Sequence, residues 1–262
     1  MRRFVGFLCA AFILALVLGG FSRAEGRDDP KEKPKYDCEI CDNEAYEVTA
    51  NRALLYVHVA GVDASRKEHR ARKFKVNGGT AFVFREMPKS PSRICTAWHV
   101  IRDMEHWNGP LLAMYPWNMR GVVIVRVACY NEELDLVVLD FADSAYEYTG
   151  STLDLGDDEK LKKGDEVSAM GAPYGHTFMR SSGEFRAYGE GEGGAVQLIH
   201  SAATAPGMSG GPVLDKTGRL VGVNVAMFKE GDPNHPRSIS ATVGDLKRLL
   251  EAERTLNDEG QK

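Results

Sequence analysis

The run Ala-Pro-Gly-Met-Ser-Gly-Gly-Pro at residues 205–212 places Ser209 among glycines. A serine hydroxyl is a weak nucleophile at neutral pH unless a base removes its proton and donors stabilise the charged oxygen that its attack creates. Gly207 lacks a Cβ and can adopt backbone angles closed to other residues, so its N–H and that of Ser209 could point into one small space. The run therefore predicts a nucleophilic serine beside an oxyanion hole.

A base and a carboxylate to orient it are found upstream of Ser209. His99 follows residues 93–97, which have the apolar character of a strand. Asp135 opens an apolar run, a position at the rim of a core, where its carboxylate could fix the tautomer of an imidazole and stabilise its cation. Asp140, further along the same run, is the alternative acid. We predict a triad of His99, Asp135 and Ser209.

The pattern Gly-x-Ser-x-Gly at residues 207–211 also occurs in the nucleophile elbow of α/β-hydrolases, so the motif alone does not select a fold. An elbow needs a helix directly after the serine and a catalytic histidine near the end of the chain. Gly-Gly-Pro follows Ser209 and disfavours a helix. The only later histidine, His235, lies in a sequence typical of a loop. The order histidine, aspartate, serine therefore favours a different fold.

Three segments that contain these candidate residues carry a resemblance to a known family: residues 96–100, 134–139 and 207–212. They resemble the chymotrypsin-like serine proteases, and most closely the bacterial trypsin-like and HtrA-like branch. Residues 77–83 and 171–175 add two weaker similarities. The resemblance implies a mechanism that uses neither a cofactor nor a metal.

The resemblance also implies a role for each candidate residue. His99 would be the general base, Asp135 its orienting acid and Ser209 the nucleophile. The N–H groups of Gly207 and Ser209 would form the oxyanion hole. The implied function is a serine endopeptidase that acts on a protein or peptide through a covalent acyl-enzyme. A catalytically inactive or latent binding protein with the same fold is the alternative.

By the same resemblance, a pocket receives the substrate side chain that precedes the scissile bond. Ala203, six residues before Ser209, would form the base of this pocket. Its wall would be formed by Asn224, Val225 and Ala226. Because an apolar base gains from burying methyl groups and would leave a cation unpaired, we expect small or medium apolar side chains rather than Lys or Arg.

The elements that position these residues are predicted as two groups of short strands. The first group comprises about residues 54–60, 79–84, 93–97, 121–129 and 134–141, and the second about 166–171, 184–188, 195–200, 212–215 and 219–227. Residues 243–253 have the pattern of an amphipathic helix. We expect an all-β fold with two antiparallel six-stranded-type β-barrels of the chymotrypsin-like kind, a C-terminal helix and a catalytic cleft between the barrels.

The predicted organisation is a signal peptide at 1–24, a charged linker at 25–50, a protease domain at 51–250 and a polar tail at 254–262. Within the protease domain, the first barrel covers about 51–145, the second about 160–242 and the helix about 243–253. The residues after Ser209 suffice only to complete the second barrel. The PDZ domain of the full HtrA pattern is therefore not expected.

The amino terminus predicts export. Two arginines precede an uncharged stretch at residues 4–21, and Ser-Arg-Ala at 22–24 offers the small residues that a signal peptidase recognises. We predict cleavage after Ala24 and a periplasmic or secreted protein. An uncleaved membrane anchor is the alternative, because the stretch is just long enough to span a bilayer.

The charge of the chain bears on its partners. Residues 1–24 carry three arginines and no acid, so their removal changes the formal net charge from −4 to −7. A net negative charge argues against a nucleic acid as the natural partner. The sequence leaves the oligomeric state open.

Four cysteines remain after the predicted cleavage, and an even number in an exported chain suggests disulfides. They are Cys38, Cys41, Cys95 and Cys129. For Cys38 and Cys41 a local disulfide is favoured over a redox or zinc site, because neither a thioredoxin-like helix nor a second pair of ligands follows. The natural second bridge joins Cys95 to Cys129, although four cysteines allow three sets of pairings.

Overall fold

The computed structural model describes residues 53–62, 74–102, 112–116, 123–143, 148, 150–227 and 238–259. The predicted signal peptide, the linker and the pair Cys38 and Cys41 lie outside the described residues. Neither helix in the described part of the chain has the length and apolar content needed to cross a membrane.

The first group of elements comprises β1 (Leu54–Val62), β2 (Phe74–Arg85), β3 (Arg93–Ala97), α1 (Trp98–Ile101), β4 (Leu112–Pro116), β5 (Val123–Asn131), β6 (Leu136–Phe141) and β7 (Leu153–Asp154). The strands pair in the order β1-β4-β5-β6-β3-β2, and a further β1–β2 pairing closes the ring. All six pairings in the ring are antiparallel, and β7 adds to β2 in parallel.

The second group comprises β8 (Glu166–Gly171), β9 (Met179–Glu190), β10 (Val196–His200), β11 (Pro212–Asp215), β12 (Leu220–Met227), β13 (Ser238–Thr242) and α2 (Val243–Glu259). Its six strands form a closed antiparallel barrel in the order β10-β13-β12-β11-β8-β9. The expected all-β fold, with six-stranded barrels and a C-terminal helix, is confirmed.

Residues 80–84 of β2, 94–97 of β3 and 136–139 of β6 are all buried, on both faces of each strand, which explains why these stretches are mainly apolar. Val83 and Val137 point into the first barrel, where they join one apolar cluster. Their neighbours Phe82 and Val138 point the other way and join a cluster that also contains Leu214 of β11 and residues of α2. This shared cluster packs the two barrels and the helix together.

Two strands that complete the rings, β4 and β13, were not predicted from the sequence. The prediction for the helix also ended too early, since α2 continues beyond residue 253 to Glu259. Side-chain contacts hold the additional turn: Arg254 pairs with Glu86 of the first barrel, and the Thr255 hydroxyl donates a hydrogen bond to the Glu251 carbonyl.

The predicted disulfide between Cys95 and Cys129 is wrong, because both side chains are free thiols. In the strand register, Cys95 of β3 and Cys129 of β5 both pair with Val138 of the intervening β6. Two strand spacings separate their Cα atoms by about 10 Å, beyond the roughly 7 Å that a disulfide can span. Burial raises the pKa of both thiols, that of Cys129 to about 12.

An ion-pair network fastens α2 to the first barrel. Arg93 donates to both carboxylate oxygens of Glu253, at 2.6 and 2.9 Å, and its Nε donates to Asp140 at 3.0 Å. A bidentate pair of this kind with little exposure is stronger than a typical surface pair. The hydrogen bond from Arg93 lowers the pKa of Glu253.

We predict that Glu253→Gln lowers the free energy of unfolding at pH 7 by about 1 kcal/mol, because one charge-assisted partner of Arg93 is lost. The pKa of Glu253 is lowered on folding, so its contribution is present above the unfolded pKa of about 4.3 and disappears as the pH falls through the folded value. Urea titrations at several pH values test this. Glu251→Gln on the exposed side of the same helix is the control, and an equal loss in both variants would contradict the prediction.

Candidate active site

His99 and Asp135 are brought together by the pairing of β3 with β6. Ala97 at the end of β3 pairs with Leu136 at the start of β6. His99 follows in the one-turn helix α1, and Asp135 closes the turn that precedes β6. The Trp98 N–H donates to the Asp135 carbonyl at 3.0 Å and joins the two segments.

Both carboxylate oxygens of Asp135 bind His99. One oxygen lies 2.5 Å from the ring Nδ1, and the other accepts the backbone N–H of His99 at 2.7 Å. Asp135 has a φ of +53°, an unfavourable region that the short side chain of Asp tolerates. With its Nδ1 proton donated to Asp135, neutral His99 keeps a lone pair on Nε2, the arrangement of a general base.

Asp140, the alternative acid, lies near the other end of β6 and accepts a hydrogen bond from Arg93. The structure therefore brings Asp135 rather than Asp140 to His99.

The loop that carries Ser209 is anchored to both barrels. The Gly210 N–H donates to the Asn224 carbonyl of β12 at 2.7 Å, and the Asn224 N–H donates to the Gly211 carbonyl at 2.8 Å. From the first barrel, the Thr80 N–H of β2 donates to the Ser209 carbonyl at 2.9 Å. These bonds fix the backbone on either side of the Ser209 hydroxyl.

Gly210 lets this loop approach the strand that leads to His99. Its φ is +82°, and a Cβ at this position would lie 2.8 Å from the Ala97 nitrogen and overlap the Thr80 carbonyl oxygen. The loop therefore touches the end of β3, two residues before His99. Within the described part of the chain, however, the Ser209 hydroxyl makes no hydrogen bond to His99.

The N–H groups of Gly207 and Ser209 donate no hydrogen bond to any described residue, whereas their neighbours Met208, Gly210 and Gly211 all donate one. Gly207 has a φ of +96°, and any side chain there would overlap the Ala172 carbonyl oxygen. Two N–H groups that lie two residues apart in a tight loop, and that have no acceptor among the described residues, are suited to binding an anionic oxygen.

The predicted pocket residues differ in their surroundings. Ala203 is half-buried and donates its N–H to the Ser181 hydroxyl at 2.8 Å. Val225 is half-buried and Ala226 is exposed. Asn224 is buried, and its side-chain amide bonds the Met170 carbonyl at 3.4 Å. Its side chain thus links β12 to β8.

His200 is a buried residue of this region that the sequence analysis missed. Its Nε2 lies 3.1 Å from the Ser240 hydroxyl, which donates in turn to the Asn224 side-chain oxygen at 3.4 Å. Burial lowers the pKa of His200 to about 4, so the ring is neutral at pH 7. The hydrogen-bond network of His200, Ser240 and Asn224 is therefore uncharged. No sequence motif marks His200, because only its burial gives it this role.

Comparisons with known proteins relate the chain to proteases by sequence and by fold. The family model of the trypsin-like peptidase domain matches residues 79–223. A probable periplasmic serine endoprotease DegP-like from Bartonella henselae is 40% identical over 104 residues, which are 38% of this chain and 21% of that protein. The serine protease Do-like HtrA of Bacillus subtilis is 32% identical over 108 residues, 37% of this chain and 23% of that protein. The chain thus spans less than a quarter of each relative.

Among solved structures, the HtrA-type protease AlgW with tripeptide is similar in fold. The alignment covers 82% of this chain and 64% of that chain, with a TM-score of 0.59 and 20% sequence identity. A second AlgW structure, a serine-to-alanine variant with decapeptide, gives a TM-score of 0.61 at 18% identity, over 82% and 67% of the two chains.

We predict that Gly210→Ala destabilises the protein by about 2–4 kcal/mol, because the added methyl meets backbone atoms of the first barrel at an unfavourable φ. Gly164→Ala is the matched control: Gly164 has a φ of +94°, and no described atom would lie within 4 Å of its Cβ. Gly164→Ala should lower the free energy of unfolding by only about 1 kcal/mol, the cost of the unfavourable backbone conformation alone. Chemical denaturation measures both, and equal losses would contradict the close approach.

Proposed function

Since the chain belongs to the trypsin-like peptidase family, whose model matches residues 79–223, we propose that it is a serine endopeptidase that acts outside the cytoplasm. The main support for this proposal is the pair of hydrogen bonds that the Asp135 carboxylate makes to His99, one to the ring and one to the backbone N–H. The bond to Nδ1 sets the histidine tautomer in which Nε2 is free to accept the proton of a serine hydroxyl.

In the first step, His99 Nε2 takes the proton of the Ser209 hydroxyl while Oγ bonds to the carbonyl carbon of the substrate. The π electrons of the carbonyl move to its oxygen, which becomes an oxyanion on a tetrahedral carbon. The imidazolium that forms is stabilised by Asp135, which stays ionised. The N–H groups of Gly207 and Ser209 receive the oxyanion, and each is worth on the order of 3 kcal/mol to the transition state.

In the second step, His99 returns its Nε2 proton to the leaving amine as the C–N bond breaks, and an acyl ester remains on Ser209. A water molecule then takes the place of the amine. His99 removes one of its protons, the resulting oxygen attacks the ester, and collapse of the second tetrahedral species releases the acid while the Ser209 oxygen regains its proton.

We propose that the substrate is a protein or peptide bound in the cleft between the barrels, with a small or medium apolar side chain before the scissile bond. Ala203, at the proposed base of the pocket, brings no charge. Next to it, the Thr204 hydroxyl forms a hydrogen bond with the Ser238 hydroxyl at 2.8 Å. The buried His200 is neutral at pH 7 because burial lowers its pKa to about 4. The AlgW structures with tripeptide and decapeptide support a peptide ligand for this fold.

The proposed location rests on the amino terminus. Its basic start and uncharged stretch have the pattern of an export signal, and relatives from Bartonella henselae and Pseudomonas putida are named periplasmic. An uncleaved anchor in the membrane stays the alternative.

One observation favours a second candidate, a latent or inactive binding protein of the same fold. Within the described residues, Ser209 makes no hydrogen bond to His99, which is a bond that an active enzyme uses in its first step. Catalytic hydrogen bonds are often long before substrate binds and shorten in the complex, so we favour the enzyme.

We predict that a fluorophosphonate probe labels the mature protein and that Ser209→Ala abolishes labelling. His99→Gln should slow labelling by at least about 10³-fold, because the proton acceptor is lost. Ser201→Ala, a nearby serine whose hydroxyl accepts the Glu184 N–H, is the control and should label normally. In-gel fluorescence measures the rates. A folded wild-type protein that takes up no probe would favour the binding protein.

We also predict that peptides with Val before the scissile bond are cleaved with a kcat/KM at least about 10-fold above those with Arg, because Ala203 offers no anion to pair the cation. Ala203→Asp should reverse the order. Ala187→Asp makes the same charge change at an exposed position of β9 and should leave the order unchanged. A wild-type preference for Arg in a matched peptide panel would contradict this prediction.

A further inference from the structure

Thr80 is a fully buried hydroxyl residue that connects the Ser209 loop to both barrels. It lies in β2 of the first barrel and has no exposed surface. Its hydroxyl donates to the Gly207 carbonyl at 2.8 Å and accepts the Ala172 N–H at 2.9 Å. Its backbone N–H donates to the Ser209 carbonyl at 2.9 Å. The contacts of Thr80 therefore bracket the two N–H groups of the proposed oxyanion hole.

The direction of the Gly207 N–H depends on the carbonyls on either side of it. The N–H and C=O of one trans peptide point in opposite directions. The Pro206 carbonyl, in the same peptide as the Gly207 N–H, accepts the Tyr174 N–H at 2.6 Å. The next carbonyl, that of Gly207, is held by the Thr80 hydroxyl. With both carbonyls bound, neither peptide can rotate without losing a hydrogen bond.

A loop containing glycine at a φ of +96° needs such restraint. Gly207 has wide conformational freedom, and rotation of the Pro206–Gly207 peptide would turn the Gly207 N–H out of the proposed hole and the Pro206 carbonyl oxygen into it. A carbonyl oxygen there would repel the oxyanion instead of binding it. The bond from Tyr174 to the Pro206 carbonyl opposes this rotation directly. The bond from Thr80 fixes the following peptide, whose Met208 N–H also donates to the Ala205 carbonyl, so that Gly207 is held on both sides.

We propose that Thr80 is a positioning residue for the reaction: its hydroxyl holds the Gly207 carbonyl so that the N–H groups of Gly207 and Ser209 face the reacting oxygen. The inference rests on the proposed function. Thr80 does not touch the substrate. Its contribution therefore concerns the transition state, in which the oxyanion exists, and hardly concerns the bound substrate.

The test compares Thr80→Val, which keeps the shape and removes the hydroxyl, with Thr80→Ser, which keeps the hydroxyl. For Thr80→Val, kcat for a Val-containing peptide should fall about 10- to 100-fold with KM changed less than about 3-fold, because only transition-state binding is lost. The inhibition constant of a peptide boronate, which places a charged oxygen in the hole, should rise by the same factor as kcat falls. Thr80→Ser should restore both to within about 3-fold of wild type.

Thr242→Val is the matched control for stability. Thr242 is also buried, and its hydroxyl makes the same number of bonds: it donates to the Asp245 carboxylate at 3.0 Å and accepts the Asp245 N–H at 3.0 Å. These bonds lie at the start of α2, away from the Ser209 loop. Thr242→Val should lower the melting temperature about as much as Thr80→Val and leave kcat within about 2-fold of wild type.

Wild-type kcat in folded Thr80→Val, or an equal fall in kcat in both valine variants, would overturn the inference. If Thr80→Val does not fold, Thr80→Cys replaces it. Because a thiol is a weak hydrogen-bond donor, the kcat of Thr80→Cys should lie clearly below that of Thr80→Ser. Equal kcat values for the two variants would overturn the inference. Wild-type protein that neither cleaves peptides nor takes up a fluorophosphonate would remove the proposed function and this inference together. Active wild type with an unaffected Thr80→Val removes the inference alone.

Discussion

Ser209 and His99 are carried by different barrels, and the structure depends on the hydrogen bonds that hold the Ser209 loop between them. The loop receives the Thr80 N–H from the first barrel and exchanges two backbone bonds with Asn224 of the second. A proton can pass between serine and imidazole only over a hydrogen-bond distance. Small shifts of one barrel against the other would therefore alter the chemistry more than the stability of either barrel.

Several other features maintain this alignment. The apolar cluster behind β2, β3 and β6 contains residues of both barrels and of α2, so the barrels share one core. The helix follows the second barrel in the chain but is fastened to the first by Arg93 and Glu253. On the first barrel, the carboxylate of Asp135 fixes His99 through two separate atoms. The shared core, the helix and the Asp135 carboxylate thus all hold the proposed site in place.

The residues and strands that lie in short, local sequence patterns could be predicted from the sequence. His99, Asp135 and Ser209 stand in short motifs, and the strands that flank them are strongly apolar. Strands β4 and β13 were missed because Leu-Ala-Met-Tyr-Pro and Ser-Ile-Ser-Ala-Thr have weak patterns, and pairing with distant strands decides their conformation. The pairing of Cys95 with Cys129 is predicted from the even number of cysteines and from their places shortly before His99 and Asp135, whereas the register places Val138 between them. Thr80 carries no local signal, since its role arises from contacts with residues 92 and 127 positions away.

A crystal structure of the mature protein with a peptide boronate bound tests the proposed catalytic site most directly. We expect a covalent bond between boron and the Ser209 Oγ, and a boronate oxygen about 2.7–3.1 Å from the N–H groups of both Gly207 and Ser209. We also expect His99 Nε2 to lie within hydrogen-bond distance of the adduct while Nδ1 stays bonded to Asp135. An adduct whose oxygen points away from these two amides, or a cleft that binds no boronate, would contradict the proposed catalytic site.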